Sequence, residues 1–184
     1  MKNSQRIHIF GASGSGTTTL AAALSAHIGC PHFDADQYFW IPTDPPFQQK
    51  RERTERVRML LADMLPHSAW VLSGSICGWD EEITPMFDFA VFLWIPPEVR
   101  MSRLKKREIE RYGKEVAKPL GIWAPGTAEF LAWAAQYDEA GSGMRSRLLH
   151  ENWMQTLHCP VLRLEGDITV DERIGKVMKA VGSL

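Results

Sequence analysis

The sequence predicts an α/β domain on a parallel sheet with helices on both faces, and three observations carry that reading. Short, nearly continuous apolar runs recur along the chain, helix-period segments separate most of them, and a glycine-rich loop joins the first run to the first helix. At 184 residues the length fits one domain, residues 1–184, on a prior of about 100–200 residues per domain. The 45% apolar and 23% charged content separates the chain from disordered classes. Lys and Arg number 21 against 22 Asp and Glu, so a surface that tracks nucleic acid as a whole is excluded and nucleic acid is not expected as a partner. The longest apolar run, Phe89 to Ile95, is far short of the roughly 20 residues that cross a bilayer, and Met1–Arg6 has no signal core, so a cytoplasmic location is expected. Cys30, Cys77 and Cys159 are odd in number and lack metal-ligand spacing, which predicts reduced, partly buried thiols.

Arg6–Phe10 reads as the first strand, with His8 a structural residue between Ile7 and Ile9. Thr17 to Ile28 reads as a helix whose Leu20, Leu24 and Ile28 share a face, with Gly29 placed to end it. His32–Phe33 is the second strand. After a stiff proline loop, Gln48–Leu65 reads as a second helix with Val57, Leu60, Leu61 and Met64 on one side. Trp70–Leu72 and Phe89–Ile95 are strands three and four, and Glu98–Tyr112 is a strongly basic helix. Ala128–Tyr137 and Met144–Leu157 are helical stretches divided by Gly141-Ser142-Gly143. Val161–Leu164 is the fifth strand, and Thr169 with Glu172 forms a capping box opening the last helix.

Gly11-Ala12-Ser13-Gly14-Ser15-Gly16-Thr17-Thr18 lies between strand and helix, where a glycine-rich loop turns N–H groups around phosphate oxygens. Its spacing is the Walker A pattern, except that Thr17 stands where lysine is expected. A plain Gly-Ser turn capping a helix is the alternative. The missing lysine has a size: a unit charge about 4 Å from a phosphate oxygen interacts by about 4 kcal/mol at an effective dielectric of 20. An unreplaced lysine therefore means a slow enzyme, or a protein that only binds nucleotide.

Asp34 and Asp36 follow the second strand, where an i, i+2 spacing in extended backbone points both carboxylates the same way. One acid can orient Mg²⁺ and the other accept a proton from the acceptor hydroxyl; capping of the next helix is the competing reading. Tyr38-Phe39-Trp40 offers either stacking on a flat acceptor or packing. Ser73, Gly74 and Ser75 offer hydroxyls and an amide after strand three, or an ordinary turn.

Through the loop, the Phe33–Trp40 segment and Phe89–Gly113, the chain resembles the P-loop kinases, in particular nucleoside monophosphate kinases of the adenylate kinase kind and shikimate kinases. The resemblance implies a three-layer P-loop NTPase fold with a five-stranded parallel sheet in the order 2-3-1-4-5. It implies an acceptor-binding helical insertion, here about 37–66, and an arginine-bearing lid, here about 112–146. It also implies ATP and Mg²⁺ as cofactors. Backbone N–H groups of Gly14, Ser15, Gly16 and Thr17 would hold the β-phosphate, with Gly11, Ser13 and Thr19 completing the nucleotide loop. Thr18 would place its hydroxyl on Mg²⁺; of the two carboxylates, Asp34 is the candidate for the metal and Asp36 the candidate for the catalytic proton acceptor.

The family's arginines at the end of the helix after strand four and in the lid clamp the transferring phosphoryl group. Arg103, Arg107 and Arg111, at i, i+4 spacing on one face, match the former; Arg103 is the candidate for the nucleotide and Arg107 and Arg111 for catalysis. Arg145, just past the Gly-Ser-Gly break, matches a lid arginine. The same arginines are the expected source of the cation that Thr17 lacks. The expected function is transfer of the γ-phosphoryl group of ATP to a small acceptor, a nucleoside monophosphate first, by a monomer or homodimer. A shikimate-like kinase and a non-catalytic nucleotide-binding protein are the alternatives.

Overall fold

A computed structural model describes residues 5–118 and 122–183. The main sheet has five strands, numbered here along the chain: β1 (Arg6–Gly11), β2 (His32–Asp34), β3 (Trp70–Ser73), β4 (Phe89–Trp94) and β5 (Val161–Glu165). All pair in parallel, in the order β2-β3-β1-β4-β5. The expected topology is the observed one. β1 is central because the chain first winds to one side of it and then to the other, which opens a crevice beyond the carboxyl ends of β1, β3 and β4.

The helices are α1 (Thr17–Ile28), α2 (Ala35–Phe39), α3 (Arg53–Met64), α4 (Pro97–Tyr112), α5 (Pro125–Ala135), α6 (Arg147–Met154) and α7 (Val170–Val181). Leu20 and Leu24 of α1 and Val177 and Val181 of α7 bury Ile7, Ile9, Val91 and Leu93 on one face of the sheet. Leu60 and Met64 of α3 and Trp153 of α6 cover Phe10, Leu72 and Phe92 on the other. Side chains alternate along each strand, so both faces need apolar residues and the strands read as continuous runs.

The expected helix Gln48–Leu65 begins five residues later. Gln49–Lys50 pairs instead with Trp40–Ile41 as a short antiparallel ladder, which takes the backbone groups a helix would use. The stretches expected at Ala128–Tyr137 and Met144–Leu157 run Pro125–Ala135 and Arg147–Met154; Ser146 stops the second from starting earlier by accepting from the Leu149 N–H as N-cap. The capping box at Thr169 and Glu172 is formed. Of the expected lid, 112–146, residues 119–121 lie outside the described residues.

Two buried polar centres fasten the elements around the crevice. Arg100 of α4, 1% exposed, donates to the Ala134 carbonyl at 2.7 Å and to Asp138 at 2.8 Å, while Trp94 donates to the same carboxylate at 2.7 Å. This ties β4 and α4 to the end of α5. In the second centre, His8 meets the Gly74 carbonyl at 2.8 Å, and His150 lies between Tyr137 and Ser75, at 2.7 and 3.0 Å. Burial pushes His8 down to about 4 and His150 to about 3.

Replacing Asp138 by Ala leaves Arg100 charged, buried and without its carboxylate, and should cost about 3 kcal/mol. The measurement is the denaturation midpoint in urea at unchanged slope; a change under about 0.5 kcal/mol would remove the pair from the structural framework. The histidines predict an acid limb of known sign. The unfolded chain takes up protons on them near pH 6.5, whereas the folded chain does not until about pH 4, so stability is complete above pH 6.5 and falls as the pH drops toward 4. His8 alone should remove about 2 kcal/mol by pH 5. A urea midpoint constant between pH 7 and pH 5 would contradict neutral, buried histidines.

Candidate active site

The loop between β1 and α1 is seated on backbone. A Cβ on Gly11 would fall on the Leu93 carbonyl oxygen, and one on Gly14 would lie 2.9 Å from both the Arg100 carbonyl and Leu104. Gly14 and Gly16 have φ of 82° and 93°, the left-handed region that glycine occupies without strain. Ser15 N–H closes the turn onto the Ala12 carbonyl at 3.1 Å. Gly16 is the N-cap of α1 and brings no side-chain cap, so the first-turn N–H groups of a twelve-residue helix are left for a ligand.

The loop forms the floor of a cleft of about 810 Å³ at the carboxyl ends of β1, β2 and β3, walled by α4. Five arginines, Arg103, Arg107, Arg111, Arg145 and Arg173, line it with three aspartates, Asp34, Asp36 and Asp167, and no lysine lines it among the described residues. The chain carries a formal charge of −1, yet the cleft is positive, which selects an anionic ligand. Gly11, Ser13, Gly14, Gly16, Thr17, Thr18 and Thr19 also reach it; Ser15 is buried beneath the loop.

Thr18 donates to Asp34 at 3.0 Å, and the other Asp34 oxygen accepts the Asp36 N–H at 3.1 Å, capping α2. The two carboxylates share the cleft, but not through strand alternation. β2 ends at Asp34 and Asp36 already lies in the first turn of α2, so the cap and the helix turn bring them together. Asp36 is open to the cleft, whose walls still strip enough water from its carboxyl to raise its pKa; Asp34 adds to the rise, and Arg145, Arg107 and Arg111 oppose it. Thr18 and Asp34 suit Mg²⁺, which takes one or two protein oxygens and completes its shell with water and substrate phosphates.

The expected face of α4 is realised, for Arg103, Arg107 and Arg111 all line the cleft while Arg100, Leu104 and Glu108 are buried. Arg103 pairs with Asp167 in the turn after β5. Arg107 and Arg111 flank buried Glu108 at 3.5 and 3.7 Å. Arg145 reaches the cleft from the segment before α6, whereas Arg147 pairs with Glu151 outside it. Of the aromatic triplet, Tyr38 is buried with its hydroxyl on Asp63, and Phe39 packs under Arg56.

Two contributors, Phe47 and Arg173, escaped the sequence reading, and of the two options left open for Ser75 the structure places it in the cleft wall. Phe47 lines the cleft at a φ of 66° with the Arg111 guanidinium 4.8 Å from its ring, and nothing in a proline-rich loop signals that placement. Ser75 lines the cleft with Tyr137 and His150 behind it. The His150 ring lies between the two hydroxyls, Nδ1 2.7 Å from that of Tyr137 and Nε2 3.0 Å from that of Ser75, and so fixes Ser75 at the cleft wall. Arg173 of α7, 3% exposed, donates to the Ser15 carbonyl at 3.0 Å and to the Gly166 carbonyl at 3.4 Å. Its signal was an arginine in an apolar stripe, Arg173, Val177 and Val181 at i, i+4, i+8.

Residues 7–120 match the AAA domain family. Over 179 residues the chain is 46% identical to the uncharacterized protein YqaC of Bacillus subtilis (strain 168), covering 97% of this chain and 98% of that protein. Among solved structures it is similar to the shikimate kinase of Acinetobacter baumannii in complex with shikimate, with a TM-score of 0.61, 14% identity and coverage of 99% and 95% of the two chains. It is also similar to a sugar kinase from Janibacter sp. HTCC2649, with a TM-score of 0.53, 14% identity and coverage of 95% and 92%. The two structures share the P-loop kinase-like fold at low identity, and the sequence match is what assigns the family: the chain belongs to the AAA domain family.

Proposed function

We propose that this protein is an ATP- and Mg²⁺-dependent phosphotransferase that moves the γ-phosphoryl group onto a small anionic acceptor, a nucleoside monophosphate in the first instance. The observation that carries the reading is the arginine-rich cleft built over a glycine-rich loop at the amino end of α1. The loop N–H groups bind the phosphates, and Thr18 and Asp34 hold the metal, which neutralises charge on the β- and γ-oxygens when bound. Arg107, Arg111 and Arg145 surround Asp36 and orient the acceptor's charged group. Phe47 under Arg111 gives that end of the cleft a flat apolar face suited to a base.

The second reading, a small hydroxy acid as acceptor, is supported by Asp36 and by the structural likeness to a shikimate kinase. A hydroxyl loses a proton as it attacks and needs a base, whereas a phosphate acceptor is already an anion at neutral pH.

MgATP at millimolar concentration should raise the melting temperature, because a ligand that binds only the folded state stabilises it by mass action. Gly16→Val should abolish the shift, since the new side chain meets Arg173 Nη1 at 3.1 Å in a backbone conformation closed to valine. No shift in the folded wild-type protein would end the nucleotide reading. Coupled ADP release against nucleoside monophosphates and small hydroxy acids then identifies the acceptor. Stabilisation by MgATP without release for any of them would mark a binding protein.

The class of acceptor is read from Asp36→Asn. A loss of about tenfold or less is expected with a nucleoside monophosphate; about 100-fold or more marks a hydroxyl acceptor with Asp36 as its base.

A further inference from the structure

Thr17 leaves the phosphate loop without a cation of its own, and the five arginines of the cleft are not equivalent as replacements. Arg107, Arg111 and Arg145 act on Asp36 at the acceptor end. Arg103 is engaged by Asp167. Arg173 alone among them is bonded to the loop: its Nη1 lies 3.0 Å from the Ser15 carbonyl oxygen and 3.1 Å from the point where Gly16 would carry a Cβ.

We propose that Arg173, reaching the loop from α7, supplies the fixed positive charge that Thr17 does not, and so positions the nucleotide phosphates from behind the loop. The inference rests on the nucleotide-binding reading and names the residue on which that binding depends.

Two independent features support it. The first is an unbalanced charge. A guanidinium stays protonated, and a buried one ordinarily has a carboxylate of its own. Arg173 is 3% exposed, its side-chain partners are two backbone carbonyls, and its Nε has none. The carboxylate that acts on it is Asp167, already paired with Arg103, whose own charge opposes Arg173. Two cations sharing one anion beside a cleft leave room for another anion.

The second feature is the geometry of the Ser15–Gly16 peptide. In a trans peptide the carbonyl and the following N–H point in opposite directions. By holding the Ser15 carbonyl, Arg173 aims the Gly16 N–H away from α7, and a cation on the carbonyl polarises that N–H as a donor. One side chain thus sets both the orientation and the strength of a donor that the Walker spacing assigns to phosphate. The same guanidinium holds the Gly166 carbonyl in the turn after β5, so the loop and that turn are fixed together.

The test is calorimetric titration with MgADP of the wild-type protein, Arg173→Met, Thr17→Lys and the double variant, with the ligand-free melting temperature of each as a control for folding. Arg173→Met should weaken binding by about tenfold or more. Thr17→Lys alone should gain less than about threefold, because the charge is already present, and in the double variant it should recover most of the loss. Rescue separates a charge role from a scaffolding one, since a lysine within the loop cannot rebuild the bonds to Ser15 and Gly166.

Wild-type affinity in a folded Arg173→Met variant would overturn the proposal, as would failure of Thr17→Lys to rescue it. A gain of about tenfold or more from Thr17→Lys alone would show the charge place empty and overturn it as well. If Arg173→Met does not fold, Arg173→Gln takes its place, keeping an amide donor without the charge, and the Thr17→Lys result stands by itself. Absence of MgADP binding to the wild-type protein would overturn the nucleotide reading and this inference with it; binding that is unchanged by the Arg173 variants overturns this inference only.

Discussion

The close seating of the loop on the backbone of β4 and α4 is the constraint from which the site follows. Gly11 rests on the Leu93 carbonyl and Gly14 on the carbonyl of Arg100, at separations no side chain would permit. Because the loop touches α4 at Arg100, its position is set by whatever sets that helix. Arg100 answers this from its other end, where its guanidinium is locked between Ala134 and Asp138 and Trp94 shares the same carboxylate. The phosphate loop, the basic helix and the end of α5 therefore form one fastened unit, and removing Asp138 would strain the loop as well as the core.

The same unit explains how a chain of slightly acidic balance builds a positive cleft. Acidic residues lie among the bases along α4, but helical spacing sorts them: Arg103, Arg107 and Arg111 face the cleft, while Glu108 turns inward and fixes two of them. Arg145 and Arg173 arrive from distant segments. The positive field is thus local and enclosed, where low-dielectric walls strengthen it, rather than spread over a surface that would attract polyanions.

Most of the fold was legible because it depends on local periodicity. Apolar runs such as Phe89–Trp94 can satisfy both faces only in a covered parallel sheet, whereas the strand order was implied by the resemblance to P-loop kinases and not by periodicity. The start of α3 was misread because Gln49 and Lys50 find ladder partners that no local pattern reveals. At the site, Asp34 and Asp36 were correctly grouped for the wrong geometric reason, since an aspartate that caps a helix ends the strand it was assigned to. Arg173 was invisible as a loop residue because its contact with Ser15 spans 158 positions, and spacing rules carry no information at that range. Phe47 was hidden in the same way, its place fixed by Trp40 and Arg111 rather than by its neighbours.

The arrangement of charge along α4 gives the cleft two ends. Arg103 sits with Asp167 and Arg173 beside the phosphate loop, while Arg107 and Arg111 sit toward Asp36 and Phe47. Successive arginines are one turn apart, so the face covers about 12 Å from first to last at 1.5 Å per residue. That span suits a phosphate chain entering at one end and an acceptor at the other, with Arg107 between them. Arg107 is half-buried, and the loss of water around it together with the charge of Arg111 lowers its pKa, a cost that Glu108 and Asp36 partly offset. Under the proposed phosphotransfer, a phosphoryl group passing between the two ends would meet Arg107, which shares the one buried carboxylate of Glu108 with Arg111.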